Sequence, residues 1–435
     1  MKKIINSAGL VALGAASLQA AYGQNMGDNQ KPWSVSVAVR GFYDSNYSLS
    51  PSRSSGIGNG AQHSFGAEVS PGASYYINQG GQTTFGISAL GTMRYYASRP
   101  NNDADYTYQG NVNLDHHFDQ NYEAKLSDSV VYAQDPTVLE QGAVLTGVGS
   151  GVARDNISAL HNTGRIDFIG QFTPVLGGEL AYNNNFYSYD NSGYSALLDR
   201  VEHLVAADIR FTLQPETILV GGYQFGYNDF NSGGSVGTDG ITGLPIPTST
   251  RDIYSHYFYG GVDETFSTEL SASARVGAQY TDYFNDHNAS AKWNPYADGN
   301  VTYRYMQGSS ATLGIRHSRN TTDQILTGGF GALSAANIVL DQETTAVYVN
   351  LIHQFTAKIS ASLQGQYQNS SFSGTGSGSV LSSSDDYFII GANAQYHINQ
   401  YFLAETGYNF DKLDSKIVGR GFTRHVVYLG FRATY

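Results

Sequence analysis

The chain has 435 residues and a formal net charge of −12, and only 14% of its residues are charged, against about 25% in ordinary globular proteins. The excess of acidic over basic residues excludes a nucleic-acid-binding protein of the usual basic kind. The absence of cysteine excludes a disulfide framework and a lipidated cysteine anchor. The 33 tyrosines and 50 glycines suit sheets with one apolar and one polar face.

Residues 1–23 are predicted to be a secretory signal peptide. Lys2 and Lys3 precede a mostly apolar run from Ile4 to Ala16, and Ala21 to Gly23 supplies the small residues of a cleavage site. A membrane anchor is the alternative, but it needs about 20 apolar residues. We therefore expect residues 24–32 to form a short periplasmic segment and residues 33–435 to form the mature domain.

From Trp33 onward the side chains alternate in polarity with a period of two, which is the period of a β-strand. In one segment Val205 and Ile209 share a face, while Asp208 and Arg210 lie on the other. The mean hydropathy is −0.29, and no later apolar run is long enough to cross a membrane as a helix. A membrane-spanning protein of this kind must be a barrel, in which half of each strand faces water.

Short and long connections between the predicted strands alternate strictly. Eight short turns and nine longer connections predict about 18 strands, with 16 as the alternative, in an all-β, antiparallel, up-and-down transmembrane barrel. In such barrels the short turns lie in the periplasm and the long loops outside. The short turns are predicted at 78–82, 119–121, 175–178, 214–216, 267–268, 308–310, 357–358 and 399–400.

Aromatic residues cluster at the predicted strand ends, for example Tyr75 and Tyr76. We interpret them as interfacial girdles, in which a ring is half in water and half in lipid. A wall on which carbohydrates stack is the alternative, with Tyr96, Tyr387 and Tyr428 as candidates for inward-facing rings. The predicted outer face is otherwise apolar and marks no interface between subunits, so a homo-oligomer is possible but not specified.

The chain ends on an alternating segment, Tyr428 to Tyr435, whose last residue is aromatic. In a closed barrel the last strand pairs with the first, and a terminal ring lies at the interface. Gly430, Ala433 and Tyr435 occupy the glycine, apolar and terminal aromatic positions of the C-terminal assembly signal of bacterial outer-membrane proteins, which this segment resembles.

Over nearly its whole mature length the chain resembles bacterial outer-membrane porins, in particular the family called putative β-barrel porins of Gram-negative bacteria. The resemblance implies a location in the bacterial outer membrane, in contact with its lipids. It also implies assembly by the barrel assembly machinery through the C-terminal strand.

Barrels of about 16–18 strands leave an aqueous channel, whereas barrels of about 8 strands are filled by side chains. We therefore expect a porin for passive diffusion of small hydrophilic solutes or ions. Charged residues of the polar face either form opposed rows that orient solutes or pair with one another and brace the wall. The predicted channel lining is Arg40, Arg94, Arg165, Arg210, Arg275, Arg304, Arg316, Arg432, Asp115, Glu123, Lys125, Asp167, Glu202, Asp208 and Glu405.

The longest predicted loop, Ala133 to Asn162, is the third external one. In general porins, which the chain resembles, the third external loop folds inward and narrows the channel. By that analogy we expect Asp135, Glu140, Arg154 and Asp155 to approach the arginines of the wall. The alternative is that this loop packs on its neighbours as an exterior lid.

No enzyme, cofactor or metal site is predicted. None of the eleven histidines is followed two positions later by serine, the pairing used by outer-membrane phospholipases. His116 and His117 are adjacent in a predicted strand and point to opposite faces, so they cannot bind one ion together. Two other functions stay open: a closed barrel that displays its loops for adhesion or recognition and, less favoured, a membrane-embedded hydrolase.

Overall fold

The computed structural model describes residues 31–51, 60–100, 103–134, 158–238, 242–286, 289–322, 338–375, 383–417 and 420–435. In this part of the chain, 18 strands form one antiparallel sheet and two more form a small hairpin. The first nine sheet strands are β1 (Trp33–Asp44), β2 (Ser64–Gln79), β3 (Thr83–Tyr96), β4 (Ala104–His117), β5 (Tyr122–Ala133), β6 (Ala159–Gln171), β7 (Leu176–Tyr189), β8 (Arg200–Gln214) and β9 (Thr217–Asp229).

The hairpin and the remaining strands follow. The hairpin is β10 (Ser235–Thr238) and β11 (Pro245–Pro247). The other nine sheet strands are β12 (Ile253–Thr265), β13 (Leu270–Asp282), β14 (Lys292–Met306), β15 (Ser309–Asn320), β16 (Ile338–Thr356), β17 (Ile359–Thr375), β18 (Ser384–His397), β19 (Phe402–Ser415) and β20 (Phe422–Thr434). A short helix, α1 (Ser192–Leu198), and a 3₁₀ turn (Thr248–Arg251) lie between strands of the sheet.

The sheet closes on itself because β1 pairs with both β2 and β20. Val37 lies opposite Ala433 in this seam, and the backbone of Val35 exchanges hydrogen bonds of 3.0 and 2.9 Å with Tyr435. The rings of Trp33 and Tyr435 lie 5.9 Å apart at the same end. The terminal aromatic thus completes the closure, and the predicted barrel of 18 strands is confirmed.

The connections alternate as predicted. All eight predicted short turns are present at one end of the barrel, the turn end, where both β1 begins and β20 finishes. The long connections lie at the opposite end, the loop end. No helix in the described ranges is long and apolar enough to span a membrane.

The alternation of side chains separates the two faces of the wall. On β8, Val205, Ile209 and Leu213 are largely exposed on the outside, while Arg210 is only 8% exposed on the inside. The same division holds on β1, where Val35 and Val39 face outward and Arg40 inward. The apolar outer surface is where lipid replaces the packed core of a soluble sheet.

Aromatic rings on the inner face lie over glycines of neighbouring strands. Each ring occupies the space that a Cβ atom at the glycine would need, so the glycine is required by close approach. Such cross-strand contacts fix which residues lie opposite one another and thereby support the register. The pairs are Phe42 with Gly66, Tyr259 with Gly222, Tyr348 with Gly314, and Tyr428 with Gly407.

Candidate functional site: the barrel interior

The structure places the predicted channel-lining residues on the inner face of the barrel. They do not form separate rows of free charge, because most of the arginines lie within 4 Å of a carboxylate from a neighbouring strand. Two connected networks account for most of them.

The first network crosses the seam. Arg40 Nη1 lies 2.6 Å from Glu68 Oε1 on β2, and Arg40 Nε lies 2.6 Å from Glu405 Oε1 on β19. Glu68 also pairs with Arg94 of β3 at 2.9 Å, and Glu405 pairs with Arg432 of β20 at 3.3 Å. Five adjacent strands are therefore linked through alternating charges at the point where the barrel closes.

The second network lies across the lumen from the seam, on β6 to β13. Glu179 accepts from Arg165 at 3.5 Å and from Arg210 at 3.4 Å. Arg210 also donates to Asp263 at 3.0 Å, and the other oxygen of Asp263 lies 2.8 Å from Arg275 Nη2. Arg210 of β8 therefore joins a carboxylate of β7 to one of β12, with β8 and β9 between those two strands.

Smaller contacts account for most of the other predicted residues. Asp167 accepts from Arg165 Nε at 2.7 Å, and Arg316 donates to Asp298 at 2.6 Å. Other contacts join Glu202 to Arg200, Asp208 to the hydroxyl of Tyr259, and Glu123 to Lys125. Arg304 is the only predicted arginine with no ion pair in the described ranges. The interior thus agrees better with the wall-bracing interpretation than with opposed rows.

The loop end of the lumen is covered by segments that the sequence did not identify. We call α1, the β10–β11 hairpin and the 3₁₀ turn the cap. Leu197 and Leu198 of α1 and Val236 of β10 belong to one buried apolar cluster with wall residues. Those wall residues include Ala133 of β5 and Leu340 of β16, which are the fifth and fourteenth strands of the ring and therefore lie on opposite sides.

Arg251 ties the cap to the wall. Its side chain is fully buried, Nη1 donates to the carbonyl of Leu197 at 3.0 Å, and Nη2 donates to the carbonyl of Thr322 at 2.6 Å. Its guanidinium lies 4.3 Å from the centre of the Phe230 ring. Because a buried guanidinium is costly without partners, these contacts hold the cap in one position.

Asp252 follows the 3₁₀ turn and is buried in the same region, outside the strands. It accepts hydrogen bonds from the backbone of Phe230 at 2.8 Å and from Asn285 at 2.9 Å. Burial raises its pKa to about 6. The only local signals of the cap are the capping residue Asn191 and the apolar pair at the end of α1, so sequence patterns give little warning of it.

A cavity of about 240 Å³ lies in the lumen against β6 to β9, β12, β14 and β15. Its lining is polar and close to neutral, because cationic and anionic side chains are equal in number. Tyr257, Tyr259 and Tyr296 add aromatic surface, with the Tyr257 and Tyr296 ring centres 5.3 Å apart. The charged lining residues are Arg165, Arg316, Arg319, Glu179, Glu202 and Asp208.

The tyrosines divide between the two faces. Tyr75 is exposed on the outer face near the turn end, as expected of an interfacial girdle, whereas Tyr76, the next residue of β2, faces the lumen. Tyr96, Tyr387 and Tyr428 lie on the inner face, and Tyr96 and Tyr387 are almost fully buried. The predicted constriction residues Asp135, Glu140, Arg154 and Asp155 lie outside the described residues, as does the predicted signal peptide.

The outer face is not uniformly apolar, contrary to the sequence expectation. Asp128 lies midway along β5 on this face, where its Oδ1 accepts from Asn162 Nδ2 of β6 at 3.0 Å. Asn184 of β7 and His203 of β8 lie on the same face, with Asn184 Nδ2 3.3 Å from His203 Nδ1. A carboxylate within the lipid-facing band is costly, so its position requires an explanation. The sequence pattern missed it because single polar residues do not disturb a period of two.

A closed antiparallel barrel with a largely apolar exterior and a polar interior defines a transmembrane protein of the bacterial outer membrane. Residues 337–435, which comprise β16 to β20, match the family described as "Putative beta-barrel porin 2". The resemblance to porins is thereby confirmed for the C-terminal strands, and the matched family is one of porins rather than enzymes. No curated protein sequence matches the chain.

Several solved structures align with most of the chain at low sequence identity. OccAB3 from Acinetobacter baumannii is 10% identical, with a TM-score of 0.43 over 93% of this chain and 99% of that one. A BenF-like porin from Pseudomonas fluorescens Pf-5 is 10% identical, with a TM-score of 0.44 over 94% and 100%. The siderophore receptor PiuA from Acinetobacter baumannii is 10% identical, with a TM-score of 0.42 over 94% and 82%.

Proposed function

We propose that this chain is an outer-membrane porin that forms a water-filled channel for passive diffusion of small hydrophilic solutes. The observation that carries the proposal is the number of strands in the closed ring, 18, whose inner face carries the charged networks described above. A ring of that size encloses more space than inward side chains can fill. The cap narrows this space at the loop end, so we expect a narrow channel rather than a wide one.

The balanced charges of the inner wall bear on selectivity. Most interior cations have a carboxylate partner, and the charged residues around the cavity are three cations and three anions. Little net field remains to favour one sign of ion. We therefore expect weak ion selectivity and a preference set mainly by solute size.

The first experiment is single-channel recording of the purified, folded chain in a planar bilayer with a salt gradient. We expect small, stable current steps and a reversal potential near zero. No steps from protein that is shown to be folded would favour the second candidate, a closed barrel that displays its loops for recognition. The bridging of opposite walls by the apolar cluster of the cap is the specific observation in favour of that candidate.

Deletion variants separate the two possible constrictions. Removing the hairpin segment 235–247 is expected to raise the conductance, because it takes β10 and β11 out of the cap. Removing residues 141–152 tests the proposal that the third external loop narrows the channel. A rise in conductance in the second deletion alone would place the constriction in that loop. No rise in either correctly assembled variant would contradict both proposals.

Contact with outer-membrane lipids follows from the apolar exterior; two further partners are proposals. We propose that the barrel assembly machinery recognises β20, whose last residue Tyr435 completes the seam. The absence of crosslinks between β20 and that machinery during assembly would contradict this proposal.

We also propose that Asp128 and Asn162 mark a contact between copies of this chain. A purely monomeric mass for protein extracted in mild detergent would speak against that contact.

A further inference from the structure

The inner face of the β4–β5 hairpin carries a cluster of potential metal ligands near the turn end. In the cross-strand register, His117 lies opposite Glu123 and Asp115 lies opposite Lys125. All four residues are at alternate positions and so face the lumen. The hairpin is held at this point by the backbone of His117, which donates to the carbonyl of Gln82 at 2.8 Å.

The ligand atoms of three of these residues converge. His117 Nε2 lies 3.6 Å from Asp115 Oδ1 and 3.5 Å from Glu123 Oε1, and all three atoms lie within 4.8 Å of one another. Metal–ligand bonds of about 2.1 Å in a tetrahedron place neighbouring ligand atoms about 3.4 Å apart. The two separations from His117 Nε2 therefore already match one small divalent ion.

The carboxylates of this cluster lack the hydrogen bonds that buried oxygens usually make. Glu123 is only 5% exposed, and Glu123 Oε1 and Asp115 Oδ1 are buried atoms without a hydrogen-bond partner in the described part of the chain. Lys125 Nζ lies 3.1 Å from Glu123 Oε1, which is an ion-pair distance, but it also makes no hydrogen bond. Glu123 thus points into the cluster with an oxygen that a cation could bind.

We propose that Asp115, His117 and Glu123 form a binding site for a divalent transition-metal ion of the Zn²⁺ type at the turn end of the lumen. One imidazole and two carboxylates suit such an ion, and with Lys125 the four residues carry a net charge of −1, which favours binding a cation. Asp115 and His117 are partly exposed to the lumen, so an ion has a path to the site and a fourth position is open to water. The ammonium group of Lys125 competes with the ion, because both would contact Glu123 Oε1.

The sequence by itself does not indicate this site, because its ligands come from two strands on either side of a turn. His116 does point to the outer face, where its Nδ1 lies 2.8 Å from Thr83 Oγ1. The third ligand instead comes from Glu123, six residues after His117 and across the turn, and only the register of the hairpin brings it near. A bound ion would fasten the two strands at the rim of the lumen.

The test is calorimetric titration of Zn²⁺ into the folded, metal-free full chain in detergent. We expect one Zn²⁺ site per chain, with an affinity at least tenfold lower in His117→Ala. The affinity should be unchanged in His397→Ala, which removes another inner-face histidine at the turn end of β18. We expect Lys125→Met to bind Zn²⁺ more tightly than the unaltered chain, since the competing ammonium group is gone.

Three results would overturn the site. These are the absence of saturable binding to the unaltered chain, equal binding by His117→Ala, and unchanged affinity in Lys125→Met. The heat-dependent gel mobility typical of folded barrels would be checked for each variant, so that loss of binding is not confused with failure to fold. None of these readouts depends on whether the barrel conducts.

Discussion

Replacing Asp44 with alanine is expected to lower the free energy of unfolding by about 3–5 kcal/mol, the range for breaking a buried ion pair by removing one partner. Asp44 ends β1, and Arg424 of β20 donates to it through Nη2 at 2.6 Å and through Nε at 3.1 Å. Their side chains are 0% and 2% exposed. The substitution removes a bidentate carboxylate contact across the seam from a buried guanidinium.

Urea titration of the barrel in lipid vesicles, followed by tryptophan fluorescence and gel mobility, measures this loss. The matched control is Asp414→Ala, which breaks the pair of Asp414 with Lys412 at 3.2 Å. That pair is on the surface, with 67% of the Asp414 side chain exposed, so a cost of about 0–1 kcal/mol is expected. Equal costs for the two variants would mean that the seam pair does not stabilise the closure.

Replacing Arg210 with leucine is expected to make the channel cation-selective. Arg210 is the only cation that joins Glu179 to Asp263 in the described networks. Although Glu179 keeps Arg165 and Asp263 keeps Arg275, the loss of Arg210 makes the net charge of the network more negative by one unit, and this field acts on ions in the lumen at close range. The reversal potential should therefore move from near zero toward the limit for a perfectly cation-selective pore, about 59 mV for a tenfold gradient of a monovalent salt.

Two controls decide whether charge is the cause. Lys412→Leu removes the same charge from the outer face and should leave the reversal potential unchanged. The double variant Arg210→Leu with Glu179→Gln restores the balance and should bring the potential back toward zero. An unshifted potential in folded Arg210→Leu would show that this network does not face the path of the ions.

The overall architecture could be predicted from the sequence because it depends on local periodicity. A strand in a barrel wall has lipid on one face and the lumen on the other. The polarity of its side chains therefore alternates along the sequence, with apolar residues such as Val205 on one face and polar residues such as Asp208 on the other. The lengths of the connections fixed the number of strands, and the alternation placed Arg40 and Arg210 on the inner face. The closure through Tyr435 was also foreseeable, since an unpaired edge is not tolerated in a membrane.

The partners of the interior charges could not be predicted in the same way. Arg40 meets Glu405, 365 positions later in the chain, only because the seam brings β1 beside β20 and β19. Alternation gives the face on which a charge lies, but the cross-strand register and the tilt of the strands decide which charges touch. For this reason the sequence left open the choice between free rows and paired charges.

The sequence by itself determined the barrel, its 18 strands, the two faces of its wall and its membrane location, since each follows from a period of two and from the alternation of turns and loops. The tertiary structure alone decided the ion-pair networks, the cap held by Arg251, the position of Asp128 in the lipid-facing band and the convergence of His117 with Glu123. These features depend on contacts between distant segments, which arise only when the ring closes and its loops pack against one another.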